Sequence, residues 1–380
     1  MLINRTGAMV IPFLSIYMAS ELGFSKPQIG LVLGCFGLGS VCGSWFGGWL
    51  TDRFGSYIVQ ICSLLLVIPL FIVLPNFKSF EGLAFMIFIL TFVSDTFRPA
   101  NSVSVARYAK PENITRAYSL NRMAINLGFS IGPALGGFLA KISYVWIFYG
   151  NAIGAATAAI VFFLFFHKRQ SKNNIPVKSE VETKIENEPK RNAYKDGLFI
   201  VFSIICCMFS MAFFQLLSTL SLFYKEVYQL GTDQIGLLLG FSGFVIVVFE
   251  MLLVHIVEHR FTVAQIMLWG SIIAGVSYLM LNVDFGMSWL FLAMFILSTG
   301  EMLTLPFTAT VAIRRADKNN QGAYMGFNSM SFAVANIFAA YLGTSIATYL
   351  GYHVLWSIVG TTLIICGICF YFIINKLERS

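Results

Sequence analysis

Apolar runs separated by short polar breaks organise this chain from end to end. Stretches long enough to cross roughly 30 Å of hydrocarbon fall at residues 1–20, 28–50, 58–76, 82–106, 117–140 and 144–166. After a polar interval they resume at 197–224, 234–254, 263–281, 288–312, 323–347 and 352–375. The pattern predicts an all-α membrane protein of twelve transmembrane helices, arranged as six-helix bundles over residues 1–166 and 197–380. The interval 167–196 is rich in Lys, Glu and Asn, holds Pro176 and Pro189, and has no apolar periodicity. It is predicted to be a solvated linker.

The second set of runs repeats the first at an offset of about 206 residues. Gln28-Ile29-Gly30-Leu31 recurs as Gln234-Ile235-Gly236-Leu237, Ala117-Tyr118 as Ala323-Tyr324, and Asp95 falls on Glu301. Both copies run in the same direction, a parallel duplication that suits a transporter working by the movement of two bundles. The same offset places the expected start of the first span before Met1. The first helix is therefore expected to be N-terminally truncated, with Arg5 aligned on Met211 near the middle of span seven.

Composition narrows the class. With 57% of residues hydrophobic and only 11% charged, much apolar surface must face lipid. The net charge of +7 does not signal nucleic acid, because the basic residues form no single face. Of the 25 Lys and Arg, about 19 lie near 51–57, 107–122, 167–196, 255–262, 313–322 and the C-terminal tail. By the positive-inside rule that side, with both termini and the linker, is expected in the cytoplasm, and the chain in the cytoplasmic (inner) membrane. The seven cysteines all lie inside apolar runs, so Cys366-x-x-Cys369 reads as packing rather than redox or metal chemistry. No cofactor, metal site or nucleophile–base constellation is expected, which argues against an enzyme.

Ionisable residues within membrane spans are candidates for function. Asp95 and Arg98, three apart, share a helical face. Glu301 has no basic neighbour in sequence and is expected to hold a transported proton, with Arg5 as its partner from the first span. Glu250 lies about one turn from the cytoplasmic end of span eight; it is a further proton-coupling candidate, or else its carboxylate reaches the interface or meets His255. Gly48-Trp49-Leu50-Thr51-Asp52-Arg53-Phe54-Gly55 follows span two and suggests a latch, Asp52 approaching the N-terminal amides of span eleven near Gly322. Span five carries Gly128-x-x-x-Gly132-Pro133-x-x-Gly136-Gly137, a smooth face with a proline to bend it. Phe13, Tyr17, Asn121, Gln215 and Asn328 are candidate cavity or gate residues.

Those last two segments carry a family resemblance. Gly48-x-Leu50-x-Asp52-Arg53-x-Gly55 resembles the loop signature after span two in the major facilitator superfamily. Gly128-x-x-x-Gly132-Pro133-x-x-Gly136-Gly137 resembles the span-five motif of its exporters, and residues 97–128 resemble bacterial drug:proton antiporters. The resemblance implies a cavity lined by spans one, four, seven and ten. It also implies that Arg98 is tied to proton coupling, Asp52 is the latch carboxylate and Pro133 a gate. Ser56-Tyr57 stand where basic residues usually follow the loop signature, Asn101-Ser102 where Gln-Gly is usual, and span one lacks the acid of several multidrug members. The function expected is proton-coupled export of small amphipathic molecules by a monomer, its partners a small-molecule substrate, protons and the bilayer. A metabolite uptake symporter or facilitator is the rival on the same fold, and a transport-dead sensor the rival from another class.

Overall fold

The structure is a computed structural model that describes residues 1–6, 10–140, 142–173, 192–216, 218–317 and 319–379. Most of the expected linker therefore lies outside the described residues. Among the described residues every regular element is helical, and ten helices are long and apolar enough to cross a membrane. The protein is an all-α, multi-pass membrane protein.

The first bundle begins with two short helices, α1 (Leu2–Thr6) and α2 (Val10–Ser20). Then come α3 (Lys26–Phe54), α4 (Ser56–Val73), α5 (Phe80–Asp95), α6 (Phe97–Tyr108), α7 (Ile114–Ala140) and α8 (Tyr144–Asn173). The last runs seven residues beyond its expected end at 166, into the stretch read as linker. Its Lys, Arg and Gln residues there are good helix formers. The second bundle holds α9 (Gly197–Phe213), α10 (Thr219–Glu226), α11 (Thr232–Glu258), α12 (Val263–Met280), α13 (Met287–Arg315), α14 (Gln321–Leu350) and α15 (Tyr352–Arg379).

The repeated Gln28 and Gln234 have a local purpose. Each side-chain Oε1 accepts the backbone N–H at its own helix start, Ser25 at 2.9 Å and Gly231 at 3.1 Å. One otherwise orphaned donor is thereby satisfied at both equivalent ends. Gln265 does the same for Thr262 at the start of α12, and Thr262 Oγ1 accepts from Gln265 N in return.

The chain forms two compact units that exchange short segments relative to its sequence halves. One comprises Met1–Ser104, Ala124–Asp196 and Ala316–Gly326; the other comprises Val105–Met123, Gly197–Arg315 and Phe327–Ser380. In the first, α3 packs on α5 and α4 on α8. Gly39, Gly43 and Gly47 bring α3 so close to α5 that a Cβ on Gly43 would run into the Phe92 backbone. Val10, Leu14, Tyr17, Met18, Leu83, Ile87 and Phe148 form its apolar core. In the second unit α12 packs on α13 and α15, α9 on α15, and α11 on α13.

Candidate functional site

The first unit places one intramembrane ion pair. Pro99 has no amide hydrogen to return to the Asp95 carbonyl four residues earlier, and the span breaks there, α5 ending at Asp95 and α6 starting at Phe97. Arg98 Nε lies 2.8 Å from Asp95 Oδ1, and the Ser40 hydroxyl of α3 donates to Asp95 Oδ2. The Asp95 side chain is 7% exposed and the Arg98 side chain 31%. Both line a cavity of about 80 Å³ walled by Leu14, Phe36, Phe71 and Leu90. The pair predicted from its spacing is thus neutral, with room for several waters beside it.

The second unit places a larger cluster. Arg122, in the third turn of α7, projects between Glu250 of α11 and Glu301 of α13. Its Nε donates to Glu250 Oε1 at 3.0 Å, and its Nη2 lies 2.8 Å from Oε2 as an ion-pair contact. Its Nη1 donates to Glu301 Oε1 at 2.6 Å. Glu301 therefore does have a basic partner, and it is Arg122; the side chain of Arg5 lies outside the described residues. Glu250 does not reach the interface or His255, since it is fully buried against Arg122. His255 instead stacks edge-on against His259, ring centroids 4.9 Å apart. Two carboxylates on one guanidinium carry a net charge of −1 when ionised, and a single proton makes the cluster neutral. Burying net charge is costly and burying a balanced cluster much less so. Glu301 Oε2 is buried and accepts no hydrogen bond from the described residues. It is the free oxygen at which such a proton fits.

Each unit also holds a clasp at a helix end. In the first, Asp52 Oδ1 accepts from Gly322 N at 2.5 Å and Oδ2 from Ala323 N at 2.7 Å, capping the start of α14 as its loop signature predicted. Gly48 meets the backbone of Gly322 and Gly326, so a Cβ there would clash. Gly55, at φ 84°, turns the chain from α3 into α4. Arg53 does not pair with Asp52; its guanidinium lies over Trp49 and Phe54. Tyr324 donates to Asp196 at 2.9 Å, which ties the linker's end to the same helix. Burial and the nearby Asp52 carboxylate together push the Tyr194 phenol above its ordinary range. In the second unit Arg116 lies 3.5 Å from Glu258 and 2.9 Å from His259 Nε2.

The remaining candidates are dispersed. Tyr17 packs among Tyr144 and Phe148, and Phe13 packs beside the same core. Gln215 donates to Ala339 O at 2.8 Å and Met211 O at 3.2 Å where the helix breaks after α9, a bracing position. Asn121 is half-buried next to Arg122 in sequence. Asn328 is buried, and its Oδ1 has no hydrogen-bond partner among the described residues. Gly132 is buried in α7, which continues past Pro133. The side chain of Pro133 lies outside the described residues. Sequence reasoning missed Arg122 by grouping it with the loop arginines; its place five residues inside an apolar run was the available signal.

Comparison with known proteins gives one consistent result. The family model for the Major Facilitator Superfamily matches residues 2–334 and 233–380. The uncharacterized MFS-type transporter YttB of Bacillus subtilis is 28% identical over 330 residues, 86% of this chain and 81% of that one. The multidrug resistance protein MdtH of Salmonella typhimurium is 23% identical over 330 residues, 86% of this chain and 79% of that one. Among solved structures, the human organic anion transporter MFSD10 aligns with TM-score 0.73 at 14% identity, over 97% of this chain and 96% of that one. The proton:xylose symporter XylE aligns with TM-score 0.74 at 13% identity, over 100% and 96% of the two chains. At these identities the structures speak to the fold.

Proposed function

The chain belongs to the Major Facilitator Superfamily, and from that premise we propose that it is a proton-coupled secondary transporter exporting small amphipathic molecules. Residues 1–166 and 197–380 are its two moving bundles and the linker joins them. The observation that carries this reading is the buried cluster of Glu250, Arg122 and Glu301. It joins α7 to the long apolar helices α11 and α13, lacks one positive charge for neutrality, and offers a free carboxylate oxygen. A proton can supply that charge, and it takes up a carboxylate that a substrate with N–H donors needs ionised, so the two compete for the same acids, which is the requirement for antiport. Asp95 and Arg98 provide a second charged point beside a cavity, and Asp52 acts as latch. The span-five glycines and the name of the MdtH relative favour export over uptake.

The test is transport in proteoliposomes under an imposed pH gradient, against a panel of lipophilic cations, neutral antibiotics and sugar phosphates. Glu301→Gln should abolish pH-driven accumulation and leave exchange at equal pH largely intact. Uphill transport retained in that variant removes Glu301 as the carrier. Accumulation in the direction of proton flow would replace the exporter with the uptake symporter.

A further inference from the structure

Arg122 is held as a bound ligand would be held. A guanidinium has five N–H donors in a planar fork. Here Nε donates to Glu250 and Nη1 to Glu301, while Nη2 lies 2.8 Å from the second Glu250 oxygen as an ion-pair contact. Both acids are almost wholly out of solvent, at 0% and 6% side-chain exposure. Glu301 Oε2 stays unpartnered among the described residues, so the acids can accept more donors than Arg122 delivers. The same two helices also carry an apolar cluster within a few positions of these acids in sequence: Val245, Ile246, Phe241 and Leu253 of α11 pack with Met302 of α13. Ser242 and Ser298 share a hydrogen bond at 2.8 Å one turn before Glu301.

We propose that the Glu250–Glu301 pair is the binding site for the head group of an amphipathic amidinium or guanidinium cation, and that Arg122 is the tethered group this ligand displaces. The swap exchanges one cation for another between the same two acids, so it leaves the charge of the site unchanged. The N–H bonds to both acids select a head with at least two N–H donors, which a quaternary ammonium lacks. The apolar cluster on the same helices suits a hydrophobic body on that head. This rests on the reading that the cluster belongs to the transport path, and it adds to that reading the class of substrate.

The test is binding to the purified full-length protein, measured by isothermal titration with benzamidine, phenylguanidine and benzyltrimethylammonium as probes. Arg122→Ala removes a competitor tethered at an effective concentration on the order of millimolar or above, so benzamidine should bind about tenfold tighter or more. Adding Glu250→Gln or Glu301→Gln to that variant should abolish the gain. Benzyltrimethylammonium should bind weakly to all forms. If Arg122→Ala is too unstable to purify, benzamidine present during extraction should restore its yield, and Arg122→Gln supplies a second, more polar background. Unchanged benzamidine affinity in a folded Arg122 variant, failure of benzamidine to restore yield, or equal binding of the quaternary ammonium each overturns the proposal. None of these outcomes depends on proton coupling, so loss of coupling in Glu301→Gln together with no gain in benzamidine binding would refute this inference alone.

Discussion

Asp95 and Glu301 occupy equivalent positions in the two repeats, yet they solve the burial of a carboxylate differently. Asp95 takes its cation from its own span, one turn away, and a hydroxyl from α3; the result is a neutral pair, partly exposed beside a cavity. Glu301 takes its cation from residue 122, at a separation of 179 residues, and shares it with Glu250. The first unit has a cavity of about 80 Å³ beside its acid, and among the described residues the second has a pocket of about 10 Å³ at the overlapping repeat position, lined by Tyr224 and Tyr278. A duplicated scaffold thus keeps the place of the acid and changes its electrostatics. One copy is balanced locally, and the other depends on the packing of three helices and remains one charge short.

The contrast predicts its own largest effect. Arg122→Ala strands two buried acids and should cost about 3–5 kcal/mol, the usual penalty for breaking a buried pair. Arg98→Ala exposes one acid next to a hydroxyl and water space, so its loss should be smaller. Thermal unfolding in detergent compares the two. The Arg122→Ala defect should shrink as pH falls, because protonating the stranded carboxylates removes the unpaired charge. Equal losses in the two variants, or a defect that deepens in acid, would break the comparison.

The helix-end clasps sharpen it further. At the 206-residue offset Asp52 falls on Glu258, and Gly322 on Arg116 (about 206 in each case). The first unit clasps a carboxylate to backbone amides, the second clasps side chain to side chain. Asp52→Asn should therefore remove about 0.5–1 kcal/mol of charge–dipole stabilisation at the start of α14. Hydrogen exchange of the Gly322 and Ala323 amides should speed accordingly, with transport slowed and substrate binding kept. Unaltered exchange in Asp52→Asn would remove the cap from the latch.

The smallest effect is expected at the second clasp. Arg116→Ala removes the contacts to Glu258 and His259 between α7 and α11. The pair is partly exposed, so thermal unfolding in detergent should shift by about 1 kcal/mol or less. A loss as large as that of Arg122→Ala would place this clasp among the buried charges.

By itself the sequence determined the helices, their duplication and their local chemistry. Apolar periodicity marks a span whatever it packs against, and Gln28 and Gln234 recur because each helix start needs the same donor satisfied. The Asp95–Arg98 pair was legible because one helical turn fixes its separation, and Asp52 because its loop signature points to a helix end. Only the tertiary structure decided the partner of Glu301. Arg122 sits at the edge of the basic stretch 107–122 and reads there as a loop charge. It becomes a buried counter-ion when α7 is packed so that its third turn meets α11 and α13 at separations of 128 and 179 residues. Helix periodicity says which residues share a face of one helix; which faces of different helices meet is settled by close packing across the whole bundle, and no local spacing encodes it.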